Sequence, residues 1–342
     1  MLRRSNLLVT VLLGGWLLGQ PSGVLANDSM ATFGAGGLQF QKTDDLQMTS
    51  EELYLSPEDV RVSYSFRNLT NHDVAGTVAF PMPEIDLDTI DGTPGKFHAS
   101  SLDGDIFDFH IEVGGRSIKP QADVQAFVKG RNGIEKDVSG LLKKYRLPAM
   151  DPESRYGALD AEAIKELVAA GMVEDDKEHH PRWLVRTTFH WEQVFPAGQT
   201  TEITHRYKPV TGGSFHFGTN LDPTEPSEWC FDEAFASALK KLPGETMNEG
   251  FSVAELRLEY ILKTGANWAG PISRFHLEID KAGADLLSLC PIPGLKLQRR
   301  GHSFVAEASQ YVPTTDIKLL FVYRACERAP CGDNPDYPGY PR

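Results

Sequence analysis

Residues 60–67 alternate without a break: Val60, Val62, Tyr64 and Phe66 are apolar, while Arg61, Ser63, Ser65 and Arg67 are polar. A period of two puts successive side chains on opposite faces of a strand, so this segment can bury one face and wet the other. A helix would scatter the same four large side chains around its circumference. The pattern recurs. Leu38 and Phe40 alternate with Gln39 and Gln41, and Leu46 and Met48 repeat the spacing. Phe107, Phe109, Ile111 and Val113 alternate with Asp108, His110 and Glu112, before a Gly114-Gly115 turn into Arg116 to Lys119. Thr77 to Phe80 reads as a return strand, stopped by Pro81 and Pro83, which cannot donate to a ladder.

Leu184 to Val194, Thr201 to Tyr207, Leu256 to Leu262 and Phe275 to Ile279 also have strand character, and Ile317 to Tyr323 reads as the last, central strand. The period changes only locally. Leu141, Leu142 and Tyr145 suggest a short helix; Asp160 can cap a second one ending at Gly171, and Asp232 a third from Glu233 to Leu242. The expected fold is mainly β: an antiparallel β-sandwich with helical insertions and a second, smaller β region. The expected divisions are a sandwich over 27–210 with a helical insert at about 137–180, a helix-bearing connector over 211–250, a C-terminal β region over 251–325 and a disulfide-clipped mobile tail over 326–342.

The first 26 residues stand apart. Arg3 and Arg4 precede an uncharged apolar run from Leu7 to Leu18; Pro21, Ser22 and Gly23 break it, and Val24-Leu25-Ala26 suits a signal peptidase. This reads as a secretory signal peptide cut near Ala26. The run is too short for a comfortable membrane span of about 20 residues, although an uncleaved anchor is the competing reading. No transmembrane segment is expected in the mature chain. The expected location is periplasmic or secreted.

Removing residues 1–26 takes the formal net charge from −13 to −15. So acidic a chain lacks the Lys and Arg excess that neutralises phosphates, which argues against a nucleic-acid partner. Four cysteines in an exported chain are expected to form two disulfides. Three pairings are open. The favoured one joins Cys230 to Cys290 as a long-range staple and Cys326 to Cys331 as a local clip.

Several motifs carry a resemblance. Asn27-Asp28-Ser29, Gly36-Gly37-Leu38, Met48-x-x-Glu51-Glu52-Leu53-Tyr54, Val78-Ala79-Phe80-Pro81-Met82-Pro83 and Thr264-Gly265-Ala266-Asn267-Trp268-x-Gly270-Pro271-Ile272 span the mature chain. In these the chain resembles a family of exported bacterial proteins of unknown function, which implies no activity and no catalytic residues. More loosely, Phe66-Arg67-Asn68, Phe80-Pro81-Met82-Pro83, Gly114-Gly115-Arg116 and Phe195-Pro196-Ala197-Gly198 resemble the vault and inter-alpha-trypsin (VIT) type of domain. That likeness implies a sandwich associated with protein contacts, and fold analogy licenses no mechanism.

Candidate sites are sparse. Glu174, Asp176, His179 and His180 combine carboxylates and imidazoles that can ligate a divalent ion, against the plainer reading of a solvated loop. Asp86, Asp88 and Asp91 resemble part of a calcium loop, but Ile90 and Phe97 stand where an EF-hand needs acids. Asn267 and Trp268 sit in a Gly/Pro turn that suits either a binding platform or a cover over the core. No nucleophile elbow, zinc-protease or phosphate-loop motif occurs, so no catalytic residue is assigned. No cofactor is expected, with calcium or another divalent ion as the exception to be tested. The leading expectation is a non-enzymatic binding or protein-interaction module of the cell envelope, its partner an envelope protein or a glycan. One alternative is an envelope hydrolase acting on glycans through paired carboxylates, and another is a calcium- or metal-binding structural protein.

Overall fold

The structure is a computed structural model that describes residues 27–34, 37–88, 106–130, 133–150, 156–214, 228–242 and 251–326. The expected signal peptide, Asp91, Cys331 and the tail from Gly332 lie outside the described residues.

Three sheets carry the chain. The first runs in the order β10 (Glu135–Asp137), β9 (Gln121–Lys129), β11 (Leu184–Phe195), β5 (Val74–Pro81), β1 (Ser29–Gly34) and β2 (Gly37–Gln41), with β6 (Ile85–Asp86) also on β11. The second runs β17 (Gln298–Arg300), β18 (Ser303–Tyr311), β15 (Ile272–Asp280), β3 (Leu46–Leu55), β4 (Val60–Asn68), β12 (Thr200–Tyr207), β7 (His110–Val113) and β8 (Arg116–Ile118). The third runs β13 (Gly212–Ser214), β14 (Phe251–Tyr260), β19 (Ile317–Cys326) and β16 (Leu286–Leu289).

The mainly β architecture read from the alternation is what the chain adopts, and β19 is central in its sheet. Among the described residues the strand pairs are antiparallel except one: β15 lies parallel to β3, with Leu277 opposite Leu53. Through that pair, β15, β18 and β17 extend the sheet begun by β3, so the second sheet crosses the expected division near residue 210. Two longer strands were not expected. In β9 the inward positions hold Val124, Ala126 and Val128, small side chains that give weak contrast. In β18 Phe304, Val305 and Ala306 are consecutive, which blurs the period.

The first and second sheets pack face to face. Phe109 and Phe189 stack at 4.2 Å, and Phe66 meets Phe195 edge-on at 6.0 Å. Buried residues from all three sheets join in one hydrophobic cluster. The third sheet is covered on both faces: Leu319 and Phe321 face that cluster, while Leu320 and Val322 face Phe235 of a short helix. Burial on both faces explains why residues 319–323 form a continuous apolar run rather than an alternation.

Among the described residues the α-helices are α1 (Ser139–Tyr145), α2 (Ala161–Ala169) and α3 (Glu233–Leu239). Asp160 accepts from the Ala163 amide and Asp232 from the Phe235 amide, both at 2.8 Å, as their sequence positions predict. Just before α3, Cys230 is bonded to Cys290. That bridge closes a loop of 60 residues and is worth about 4 kcal/mol by chain-entropy reasoning.

Candidate functional site

The polar centre of the molecule lies where the N-terminal segment passes between the sheets. On the second sheet one face is fixed by cross-strand register. Tyr64 of β4 pairs with Glu51 of β3 and Ile203 of β12, while Val62 pairs with Leu53 and His205. All six are buried. Glu51 reaches this face because of an irregularity. Leu46 and Met48 point inward at even positions, a register shift falls between Met48 and Ser50, and Leu53 and Leu55 then point inward at odd ones. A bulge that adds one residue exchanges the two faces of everything beyond it. Without it Glu51 would face solvent.

Asn27 and Asp28 enter this space from the start of β1. The Asn27 Nδ2 donates to both Glu51 oxygens, at 3.2 and 3.1 Å, and its Oδ1 accepts from the Asp28 amide at 3.0 Å. Asp28 Oδ1 meets His205 Nε2 at 3.0 Å, with both side chains 0% exposed. Around the imidazole stand Phe80, Phe109, Trp191 and Tyr64, with ring centres 5.0 to 5.6 Å away. The Tyr64 hydroxyl meets that of Tyr260, from the third sheet, at 3.2 Å.

A short 3-10 turn, Lys263–Asn267, closes the space. The Trp268 indole donates to the Asp28 carbonyl at 2.7 Å, and its ring lies 4.4 Å from Phe66. Asn267 Nδ2 donates to Ser29 Oγ at 3.1 Å. A Cβ on Gly265 would sit 2.9 Å from Asn27 Nδ2 and 3.1 Å from Pro313, so only glycine allows the turn this close.

Burial dominates the electrostatics. Removal from water disfavours a charged carboxylate and pushes the Glu51 carboxyl up to about 8, helped by nearby Asp28 and opposed by the Asn27 amide. Burial also raises Asp28, against the opposing pull of His205. The hydroxyls of Tyr64 and Tyr260 are held well above the usual range, chiefly by desolvation. Burial therefore favours the neutral form of each of these groups.

Of the described residues singled out from sequence, Asn267 and Trp268 lie at this cluster and the acidic and imidazole candidates fall elsewhere. Trp268 belongs to this cluster as a buried cover, so it offers no open face to a ligand; Asn267 beside it ties down Ser29. Asp86 and Glu174 come from the two acidic stretches, which meet around a cation: Arg182 lies 3.4 Å from Asp88 and 4.0 Å from Glu174. Asp86 accepts from the Asp88 amide, and Asp176 from the Glu178 and His179 amides. His180 contacts Glu178 at 2.8 Å. Among the described residues no three His, Cys, Asp or Glu side chains converge to hold a metal ion.

Asp28, Glu51, Tyr64, His205 and Tyr260 carry no site motif in the sequence. The signal for Glu51 is the switch from even to odd apolar positions across residues 48–53. Asn27, Asp28 and Glu51 stand in motifs that carry the family resemblance, but nothing in their spacing brings them together.

A family model described as "Domain of unknown function (DUF4424)" matches residues 26–320. No curated protein matches the chain. Among solved structures, the chain is similar to a Legionella pneumophila protein described as a "putative nutrient binding protein", with 14% identity, 87% of this chain and 70% of that one covered, and a TM-score of 0.39. It also resembles an M1 zinc metallopeptidase from Deinococcus radiodurans, with 9% identity, 82% of this chain covered and a TM-score of 0.28; it spans 43% of that enzyme's length. Similarity at this level transfers no function.

Proposed function

The chain belongs to the family described as Domain of unknown function (DUF4424), and from that premise we propose that it is a non-catalytic binding or protein-interaction module of the cell envelope. The observation that carries the reading is the enclosure of the polar centre. Among the described residues, the two carboxyls raised above their usual range, Asp28 and Glu51, both sit inside the core. A general acid must come within hydrogen-bond reach of a substrate proton, and a sealed carboxyl does not. These groups hold the fold, leaving recognition to the outer sheet surfaces. There Phe33 of β1 is 63% exposed and sits edge-on against His190 at 5.2 Å.

Export is supported by residues 1–26 and by the Cys230–Cys290 bond, which suits an oxidising compartment. The VIT-like spacing of residues 60–210 favours protein contact. Among the described residues no helix is long and apolar enough to cross a membrane. A partner is sought with a photo-crosslinking residue at Phe33 in living cells. The expected result is one reproducible envelope protein joined there and none at control positions on α2.

One observation favours the second reading, hydrolysis of glycans through paired carboxylates: Glu51 keeps its proton to about pH 8 next to Asp28. Glycan hydrolysis lost in Glu51→Gln and Asp28→Asn variants that stay folded would establish it and overturn the interaction reading.

A further inference from the structure

The enclosure around Asn27 holds more acids than bases. Two carboxyls, Asp28 and Glu51, share it with one imidazole, His205. The other titratable groups acting there are the hydroxyls of Tyr64, Tyr207, Tyr260 and Tyr311, none of which supplies positive charge. Among the described residues no Lys or Arg acts on either carboxyl. Asp28 Oδ2 is buried and has no hydrogen-bond partner. A buried carboxylate needs a paired cation, and one imidazole can supply at most one for the two acids.

A second positive charge is available next to the cluster. The backbone nitrogen of Asn27 lies within roughly 5 Å of its own side-chain amide, by covalent geometry alone. That amide touches both Glu51 oxygens. Directly before Asn27 stands Val24-Leu25-Ala26, the expected cleavage sequence. Resting on the export reading above, we infer that cleavage between Ala26 and Asn27 frees an α-ammonium that Glu51 and Asp28 hold inside the core, so that processing completes the fold.

The step balances. A leader peptidase adds one water across the Ala26–Asn27 amide; the C–N bond breaks, Ala26 leaves as a carboxylate and the Asn27 nitrogen becomes an ammonium. Leader removal accompanies export, before the chain folds, so the burial of Asn27 is no obstacle. An ammonium supplies three donors, and carboxylate oxygens already bonded to the Asn27 amide keep lone pairs to accept them. The approach of Gly265 and the Trp268 bond to the Asp28 carbonyl then shut the segment in.

The test uses the full chain, expressed with its leader and purified from the envelope. Intact mass and N-terminal sequencing come first. A chain starting at Asn27 is expected; a retained leader or a different start overturns both this inference and the processing on which it rests. The α-amine of the native protein is then labelled with acetic anhydride at pH 8. Labelling should be at least about 100-fold slower than in the urea-unfolded chain, because the buried amine is reached only when the fold opens around it as a whole. Labelling of an Asn27-started chain at the unfolded rate overturns the inference alone.

As a check against general destabilisation, one Gly is placed ahead of Asn27, with and without Glu51→Gln. The extension should lower the melting temperature at pH 8 when Glu51 is present and have little effect in Glu51→Gln. Equal losses in both backgrounds contradict the pairing.

Discussion

Glu51 and Asp28 set the behaviour of the molecule at the scale of single residues. With an amide rather than an ammonium ahead of Asn27, the buried Glu51 carboxyl holds its proton to about 8, while in the unfolded chain it releases it near 4.5. Between those values the native state binds more protons than the unfolded state, so stability falls as pH rises through the window. Asp28 is raised too, and its contribution has the same sign. A chain extended ahead of Asn27 should therefore show a urea midpoint that declines from pH 5 to 8, and Glu51→Gln should flatten most of the decline. The Asp28–His205 pair makes a separate prediction. His205→Ala leaves a buried carboxyl without its 3.0 Å partner and should cost about 3–5 kcal/mol, read from urea unfolding at pH 7.

At the scale of elements, the 3-10 turn and the β3 bulge hold the cluster together. Gly265→Ala forces a Cβ against Asn27, Pro313 and Ile272 and should cost about 1–3 kcal/mol in thermal or urea unfolding. Asp232→Ala, which removes only the cap of α3, should cost about 1 kcal/mol and leave the cluster unchanged. Much at this scale was legible in the chain: β4, β7, β12, β15 and the caps of α2 and α3 follow from period and end signals. What escaped has physical reasons. The small inward side chains of β9 barely distinguish its faces. The parallel pairing of β3 with β15 joins residues over 200 positions apart, which local alternation does not encode. The polar cluster was hidden because a one-residue bulge decides that Glu51 faces inward, and because its members come from β3, β4, β12, β14 and the segment before β1.

At the scale of the whole molecule, three sheets share one core, and the N-terminal segment runs through the point where they meet. The disulfide secures the third sheet from outside. Replacing Cys230 and Cys290 together by Ser should lower stability by up to about 4 kcal/mol while leaving Trp268 buried, which fluorescence can follow. On the proposed function, the Asn27–Asp28–Glu51–His205 cluster is a sealed part of the fold rather than a working site. Hydrogen exchange of the Trp268 indole, which donates to the Asp28 carbonyl, tests it most directly. Exchange is expected only through global unfolding, with an opening free energy equal to that from urea denaturation. Exchange through a much cheaper local opening would show that the cluster is reached by solvent in the native state, and would contradict it.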